Sequence, residues 1–381
     1  MREVLVDGST ASAATLTRAL RAALDGSGPA VLPLHANDPR LTDLRASLAP
    51  GEPAEPGTAV VVATSGSTGV PKGVVLSAGA LRASAGATHD RLAGPGGWLL
   101  VLPAQHIAGV QVLVRSIMAG REPVLMSTAA GFRPRAFTEA ASDLLAEDGP
   151  HYTALVPTQL ARLLDGDALR ALRGFAGVLV GGAAAPGALL DRARDAGIRV
   201  VATYGMTETA GGCVYDGVPL AGVRVRIAAG GLIELAGPML ASGYRLRPQE
   251  TAAAFAGGWF RTGDLGRLRP DGSLEVLGRA DDVINTGGVK VAAAAVERVL
   301  AAQPGVAEVC VVGLPDPEWG QRIAAAVVVS TVDGPPDVGA LCTAVRGELG
   351  APAVPKEIRF VDRLPRHGPG KVDRAAVAAA F

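Results

Sequence analysis

Residues Thr58–Gly73 read "TAVVVATSGSTGVPKG", an apolar run that breaks into a polar, glycine-rich loop. The run "TAVVVA" has the length and the β-branched content of a buried strand. From Thr64 to Gly73 the loop holds three glycines, four hydroxyl side chains and one lysine. Glycines let a backbone curl until successive N–H groups point inward, and hydroxyls add further donors. Lys72 adds a point charge. Such a loop can surround phosphates. It is not a Walker A loop, because no glycine stands at the required spacing before a Lys-Ser or Lys-Thr pair. A mobile surface loop can share this composition, so its companions must decide.

Outward from this stretch, short apolar runs alternate with helical patterns. "WLLVLP", "PVLMS", "YTALVP", "GVLVGG" and "IRVVATYG" read as strands. "HIAGVQVLVRSIMAG", "PTQLARLL" and "PGALLDRARDAG" read as helices between them. The alternation predicts an α/β fold whose large N-terminal domain has parallel sheets covered by helices. Between Val214 and Val276 the runs shorten and glycine turns multiply, which predicts a β-rich subdomain. After "GRADD" (278–282) the sequence restarts as a small α+β unit. The expected division is therefore an N-terminal domain over 1–277, a hinge at 278–282 and a C-terminal lid over 283–381. The alanine run 292–295 reads as part of one helix. Residues 1–57 are weakly patterned, with one helix, "AATLTRALRAAL", and a loop rich in Gly and Pro near 50–57.

Composition narrows the function. The 381 residues suit two domains, and 49% hydrophobic residues suffice for a sizeable core. Lys+Arg and Asp+Glu are 36 each, and no local basic cluster suggests a nucleic-acid or membrane-surface partner. Cys213, Cys310 and Cys342 are scattered and lack metal-ligand spacing, as expected of a reducing, cytoplasmic setting. No segment reads as a signal peptide or a membrane span. Serine-hydrolase and zinc signatures are absent from the sequence.

Four further motifs accompany the loop. "YGMTET" (204–209) follows a strand; Thr207 can bond a phosphate oxygen, and Glu208 suits Mg²⁺, which takes carboxylate and phosphate oxygens. In "RTGDLG" (261–266), Asp264 can take both hydroxyls of a ribose. "GRADD" supplies Arg279, and "PGK" (369–371) sets Lys371 on a stiff turn where packing has little use for a lysine. A lone Asp in a glycine turn is ordinarily a turn former. The whole set, in this order, is too specific to be coincidence.

The set resembles the adenylate-forming superfamily of acyl-CoA synthetases, luciferases and peptide-synthetase adenylation domains, over roughly residues 58–381. The resemblance implies that Thr64, Ser65, Gly66, Ser67, Thr68, Gly69 and Lys72 handle the ATP pyrophosphate. It implies that Gly182 and Ala183, with Thr203, Tyr204, Gly205 and Met206, flank adenine, that Thr207 meets the α-phosphate and that Glu208 holds Mg²⁺. Asp264 and Arg279 would bind ribose, Asp281 would be the hinge, and Gly287 and Gly288 would line the pantetheine channel of coenzyme A. Lys371 would touch the reacting carboxylate and the α-phosphate. By the same resemblance Lys371 is a target for a lysine acetyltransferase. Oligomerisation is left open.

Segments 87–120 and 204–223 are similar, beyond the shared motifs, to the actinobacterial o-succinylbenzoate–CoA ligase branch of menaquinone biosynthesis. A substrate with a second carboxylate needs polar partners for it. His106, Gln111, Thr158 and Gln159 are the candidates, aided by helix N-termini; Gly205 would line the same site. The alternatives are a ligase for another aromatic or short-chain acid, an adenylation domain that loads a carrier protein, and a non-catalytic adenylate-binding protein.

Overall fold

The computed structural model describes residues 1–65, 71–330, 334–367 and 371–381. Gly66, Ser67, Thr68 and Gly69 of the expected phosphate loop lie outside the described residues, as do the side chains of Ser65 and Lys371.

The apolar run at Thr58–Ser65 is the third strand of a five-stranded sheet. Its neighbours, in spatial order, are Arg2–Val6, Val31–His35, Thr58–Ser65, Pro71–Ser77 and Gly243–Tyr244. The first three run parallel. The last two are antiparallel additions. A parallel pair needs a crossover, and the helix Thr10–Asp25 supplies it. Ser9 caps this helix by accepting the Ser12 N–H at 3.2 Å, and Gly26, at φ 81°, ends it. The helix buries Leu16, Leu20 and Leu24.

The second sheet has seven strands, with order Val218–Pro219, Gly211–Tyr215, Val200–Met206, Gly177–Val180, His151–Leu155, Gly97–Leu100 and Val124–Leu125. From Val200–Met206 onward all pairings are parallel. Gly211–Tyr215 returns antiparallel along Val200–Met206. Both sheets are therefore largely parallel, each with antiparallel strands added at one edge, in keeping with the largely parallel arrangement the sequence suggested. Helices Ala78–Arg91 and Ile107–Met118 join these sheets in one core that holds Trp98, Val112 and Leu113.

By internal contacts the chain divides into two units. One comprises Met1–Ala185, Leu190–Arg226 and Glu234–Arg261; the other comprises Pro186–Leu189, Ile227–Ile233 and Thr262–Phe381. The boundary near Arg261 lies upstream of residues 278–282 and inside the strand Trp259–Leu268. In the second unit, strands Val283–Thr286, Val289–Ala292, Val306–Asp316, Gly320–Val329 and Glu357–Val361 form one sheet. Helix Ala293–Ala301 buries Val296, Val299 and Leu300, and helix Val338–Leu349 buries Leu341 and Val345. Among the described residues no helix is long and apolar enough to cross a membrane.

Candidate active site

In open α/β sheets, ligands bind outside the carboxyl ends of the strands. The strand Val200–Met206 ends there and turns into the one-turn helix Thr207–Thr209. The turn is tight because Gly205 has no side chain. A Cβ at Gly205 would stand 2.2 Å from the Gly211 carbonyl oxygen and 2.7 Å from Gly212 Cα. The Thr209 hydroxyl accepts the Met206 N–H at 2.9 Å and lies 2.8 Å from the Gly211 carbonyl oxygen. The Ala241 N–H donates to the Glu208 carbonyl at 2.8 Å. Thr207 and Glu208 are thus set on a braced turn, with Thr207 buried.

The Glu208 side chain meets a residue that the sequence motifs did not mark. Tyr244 Oη donates to Glu208 Oε1 at 2.9 Å. Burial first, and then the Glu208 charge, push the Tyr244 phenol well above its ordinary pKa, so it remains a donor. The Tyr244 ring also carries Lys72, whose Nζ sits 5.2 Å from the centroid. Lys72 pairs with Glu250 Oε2 at 2.5 Å, and Arg247 takes Glu250 Oε1 at 2.6 Å. These two partners, Lys72 first, hold the Glu250 carboxyl below its usual range. Lys72 lies opposite Thr64 in the hairpin that carries the glycine loop. A signal for Tyr244 was present: the chain has only 4 tyrosines, and this one stands in "SGYRLRPQET" among three charged residues.

The nucleotide-base candidates occupy neighbouring strand ends. Thr203 Oγ1 donates to the Val180 carbonyl at 3.3 Å. A Cβ at Gly181 would stand 2.2 Å from that hydroxyl. Gly182, at φ 79°, and Ala183 follow as exposed backbone, while Tyr204, Gly205 and Met206 are half-buried on the adjoining strand.

The four acyl-side candidates differ in their commitments. His106 precedes helix Ile107–Met118 and does not cap it with its side chain. The helix can start this close to Pro103 because Gly109 is bare; a Cβ there would lie 2.4 Å from the Pro103 carbonyl oxygen. Solvent reaches His106, yet desolvation by the surrounding protein, and then His35, lower its pKa. Gln111 is fully buried beneath the site, donating to the Leu81 carbonyl at 3.4 Å, with its Oε1 unpartnered. Gln159 is bonded at both amide ends, to the Val101 carbonyl at 3.2 Å and to the Val156 N–H at 3.0 Å. Thr158 is half-buried in the first turn of helix Pro157–Leu163.

Within the second unit, Asp264 and Arg279 are cross-strand partners, paired at 3.3 Å. A Cβ at Gly263 would lie 2.7 Å from the Arg279 guanidinium, so that side chain lies directly over the Gly263 backbone. Arg279 also reaches Asp281 at 3.2 Å. Gly287 and Gly288, at φ 57° and 79°, make the two-residue turn between Val283–Thr286 and Val289–Ala292.

Among the described residues no group of three or more His, Cys, Asp or Glu could hold a metal ion by itself. Glu208 offers one carboxylate. That fits Mg²⁺, which binds through one or two carboxylates together with phosphate oxygens and water.

Two family models match the chain: AMP-binding enzyme over residues 7–244, and AMP-binding enzyme C-terminal domain over residues 295–371. A Mycobacterium tuberculosis protein named "Probable 2-succinylbenzoate--CoA ligase" is 47% identical over 384 residues, covering 100% of this chain and 98% of the relative. A Geobacillus kaustophilus 2-succinylbenzoate–CoA ligase is 35% identical over 83% of this chain and 68% of its own. Among solved structures, the Bacillus subtilis o-succinylbenzoate CoA synthetase in complex with its acyl-adenylate intermediate superposes with a TM-score of 0.74. That pair shares 28% identity and covers 95% of this chain and 80% of the other. An amide bond synthetase from Marinactinospora thermotolerans superposes at 0.77, with 31% identity over 97% of this chain and 78% of its own.

Proposed function

The chain belongs to the AMP-binding enzyme family, and from that premise we propose that it is an o-succinylbenzoate–CoA ligase acting in menaquinone biosynthesis in the cytoplasm. The observation that carries the reading is the likeness along the full length to a relative of that name. The braced Thr207–Glu208 turn, with Lys72 and Tyr244 beside it, supplies the chemistry.

The reaction has two steps. A succinyl carboxylate oxygen attacks the α-phosphorus of ATP, the bond to the β-phosphate oxygen breaks, and pyrophosphate leaves. The CoA sulfur then attacks the acyl carbonyl of the adenylate and AMP leaves. Thr207 donates to an α-phosphate oxygen, and Lys72 with the glycine loop neutralises the pyrophosphate. Preorganised donors of this kind usually provide the largest share of such catalysis. Mg²⁺, held by Glu208, would supply further neutralisation of phosphate charge. Asp264 and Arg279 are assigned to ribose, Lys371 to the reacting carboxylate, Asp281 to the hinge, and Gly287 and Gly288 to the pantetheine arm. Acetylation of Lys371 would delete its charge and slow the first step.

The test is a panel of acids supplied with ATP, Mg²⁺ and CoA, with thioester measured by mass spectrometry. A polar site left unpaired discriminates strongly, so o-succinylbenzoate should exceed benzoate in kcat/KM by about 10⁴. Equal values would reject the substrate, and absence of any thioester or adenylate would reject the reaction.

A further inference from the structure

Two opposite charges of the phosphate end, Glu208 and Lys72, meet the same phenol. Tyr244 gives its hydroxyl to Glu208 Oε1 at 2.9 Å and its ring face to Lys72 at 5.2 Å. We propose that Tyr244 is the positioning residue that presents Glu208 to the metal, while Glu250 keeps Lys72 from neutralising it. The proposal rests on the reading of Glu208 as the magnesium ligand.

A lysine beside a bare carboxylate would pair with it and occupy the oxygens that a cation needs. Here the two are held apart. Lys72 is drawn to Glu250 at 2.5 Å, and Glu250 is itself anchored by Arg247 at 2.6 Å. With Oε1 engaged by the phenol, Glu208 offers Oε2 to a cation, which leaves the remaining coordination positions to phosphate and water. Tyr244 can impose this because its own place is fixed. Its N–H donates to Thr251 Oγ1 at 2.9 Å, and it pairs with Val74 in the sheet. Its ring packs edge-on against Phe255 at 5.8 Å. A Cβ at the preceding Gly243 would stand 2.4 Å from Thr251 Cγ2, so the strand and the Thr251 side chain are in close contact.

The test uses Mn²⁺ as a paramagnetic stand-in and a non-reactive ATP analogue, with metal binding read by electron paramagnetic resonance. Metal-free analogue binding is measured by calorimetry. Tyr244→Phe keeps the ring and removes the donor. It should weaken Mn²⁺ by about 10–100-fold, the usual effect of losing a partner that orients a metal ligand, while metal-free analogue affinity stays at the wild-type value. Glu250→Gln releases Lys72 toward Glu208 and should also weaken Mn²⁺, by about 10-fold or more; it serves alone if Tyr244→Phe does not fold. Wild-type Mn²⁺ affinity in either variant overturns the proposal. Glu208→Gln separates the two readings: if it too binds Mn²⁺ as the wild type does, the magnesium-ligand assignment is what has failed.

Discussion

Replacing Gly205 by alanine tests how far the phosphate-side turn depends on two backbones in close approach. The added Cβ would sit 2.2 Å from the Gly211 carbonyl oxygen, about 1.2 Å short of the 3.4 Å at which ordinary contact begins. Gly212 Cα, at 2.7 Å, blocks the other direction. Both obstacles are main chain, so no rotamer change relieves them. The strand pair Val200–Met206 and Gly211–Tyr215 must separate by roughly an ångström, and overpacking of this size costs about 1–3 kcal/mol. Thr207 and Glu208 are carried by the link between those strands and should shift with it. A misplacement of 1 Å can cost about 10² in rate. Urea unfolding should record the stability loss, and ATP–pyrophosphate exchange should fall about 100-fold. Gly86→Ala is the control: it lies inside helix Ala78–Arg91 with nothing within 4 Å of an added Cβ. It should gain about 0.5–1 kcal/mol and leave exchange unchanged. Wild-type exchange and stability in Gly205→Ala would refute the argument.

Two further outcomes follow from buried charge. His89 is buried, and burial, aided by Arg115 and opposed by Asp90, lowers its pKa from 6.5 to about 4. Its folded pKa is the lower one, so the stabilisation is complete above pH 6.5 and is lost as pH falls toward 4. At pH 5 the loss amounts to about 2 kcal/mol. Wild type should therefore lose that much more than His89→Gln between pH 7.5 and pH 5, and parallel urea curves would refute it. Arg245 is 1% exposed and bonds the carbonyls of Leu48, Ala49, Glu52 and Pro53 and the carboxylate of Glu55. Arg245→Met strands those acceptors and should cost about 3–5 kcal/mol, with faster proteolysis across residues 49–57; an unchanged unfolding midpoint would count against it.

Arg245 also explains why residues 48–55 looked weakly patterned. They are held by a side chain nearly two hundred positions away, which no local periodicity reveals. The strand Val31–His35 contains Pro33, and a proline inside an apolar run argues against a strand. Here it pairs with Val4 in a parallel ladder, and only Val31 is registered with the strand beyond. Pro71–Ser77 was hidden differently, because its first residues belong to the glycine-loop motif and read as loop. Fully buried runs such as Gly97–Leu100 and Gly177–Val180 were legible because every residue is apolar or glycine. Thr207 and Glu208 stood out as candidates because they form part of one contiguous motif. Tyr244 carried a signal in its rarity and setting, but its meeting with Lys72 was hidden, since it exists only once strand pairing sets the two together.

The same accounting of commitments ranks the acyl-side residues, among which the sequence reading already set His106 against the acyl group. An amide already bonded at both ends cannot turn toward a ligand without stranding a backbone group, and burial makes that costly. Gln159 is in that state, holding the Val156 N–H at the start of its helix. Gln111 has a free Oε1 but is fully buried, and an acceptor oxygen repels a carboxylate rather than binding it. His106 differs from both. Solvent reaches it, its side chain is not spent on the helix start, and its lowered pKa favours the neutral ring. A neutral imidazole donates one hydrogen bond without adding a buried charge. Recognition of a second carboxylate by this set would therefore centre on a hydrogen bond from His106, with Gln111 and Gln159 fixing the backbone around it.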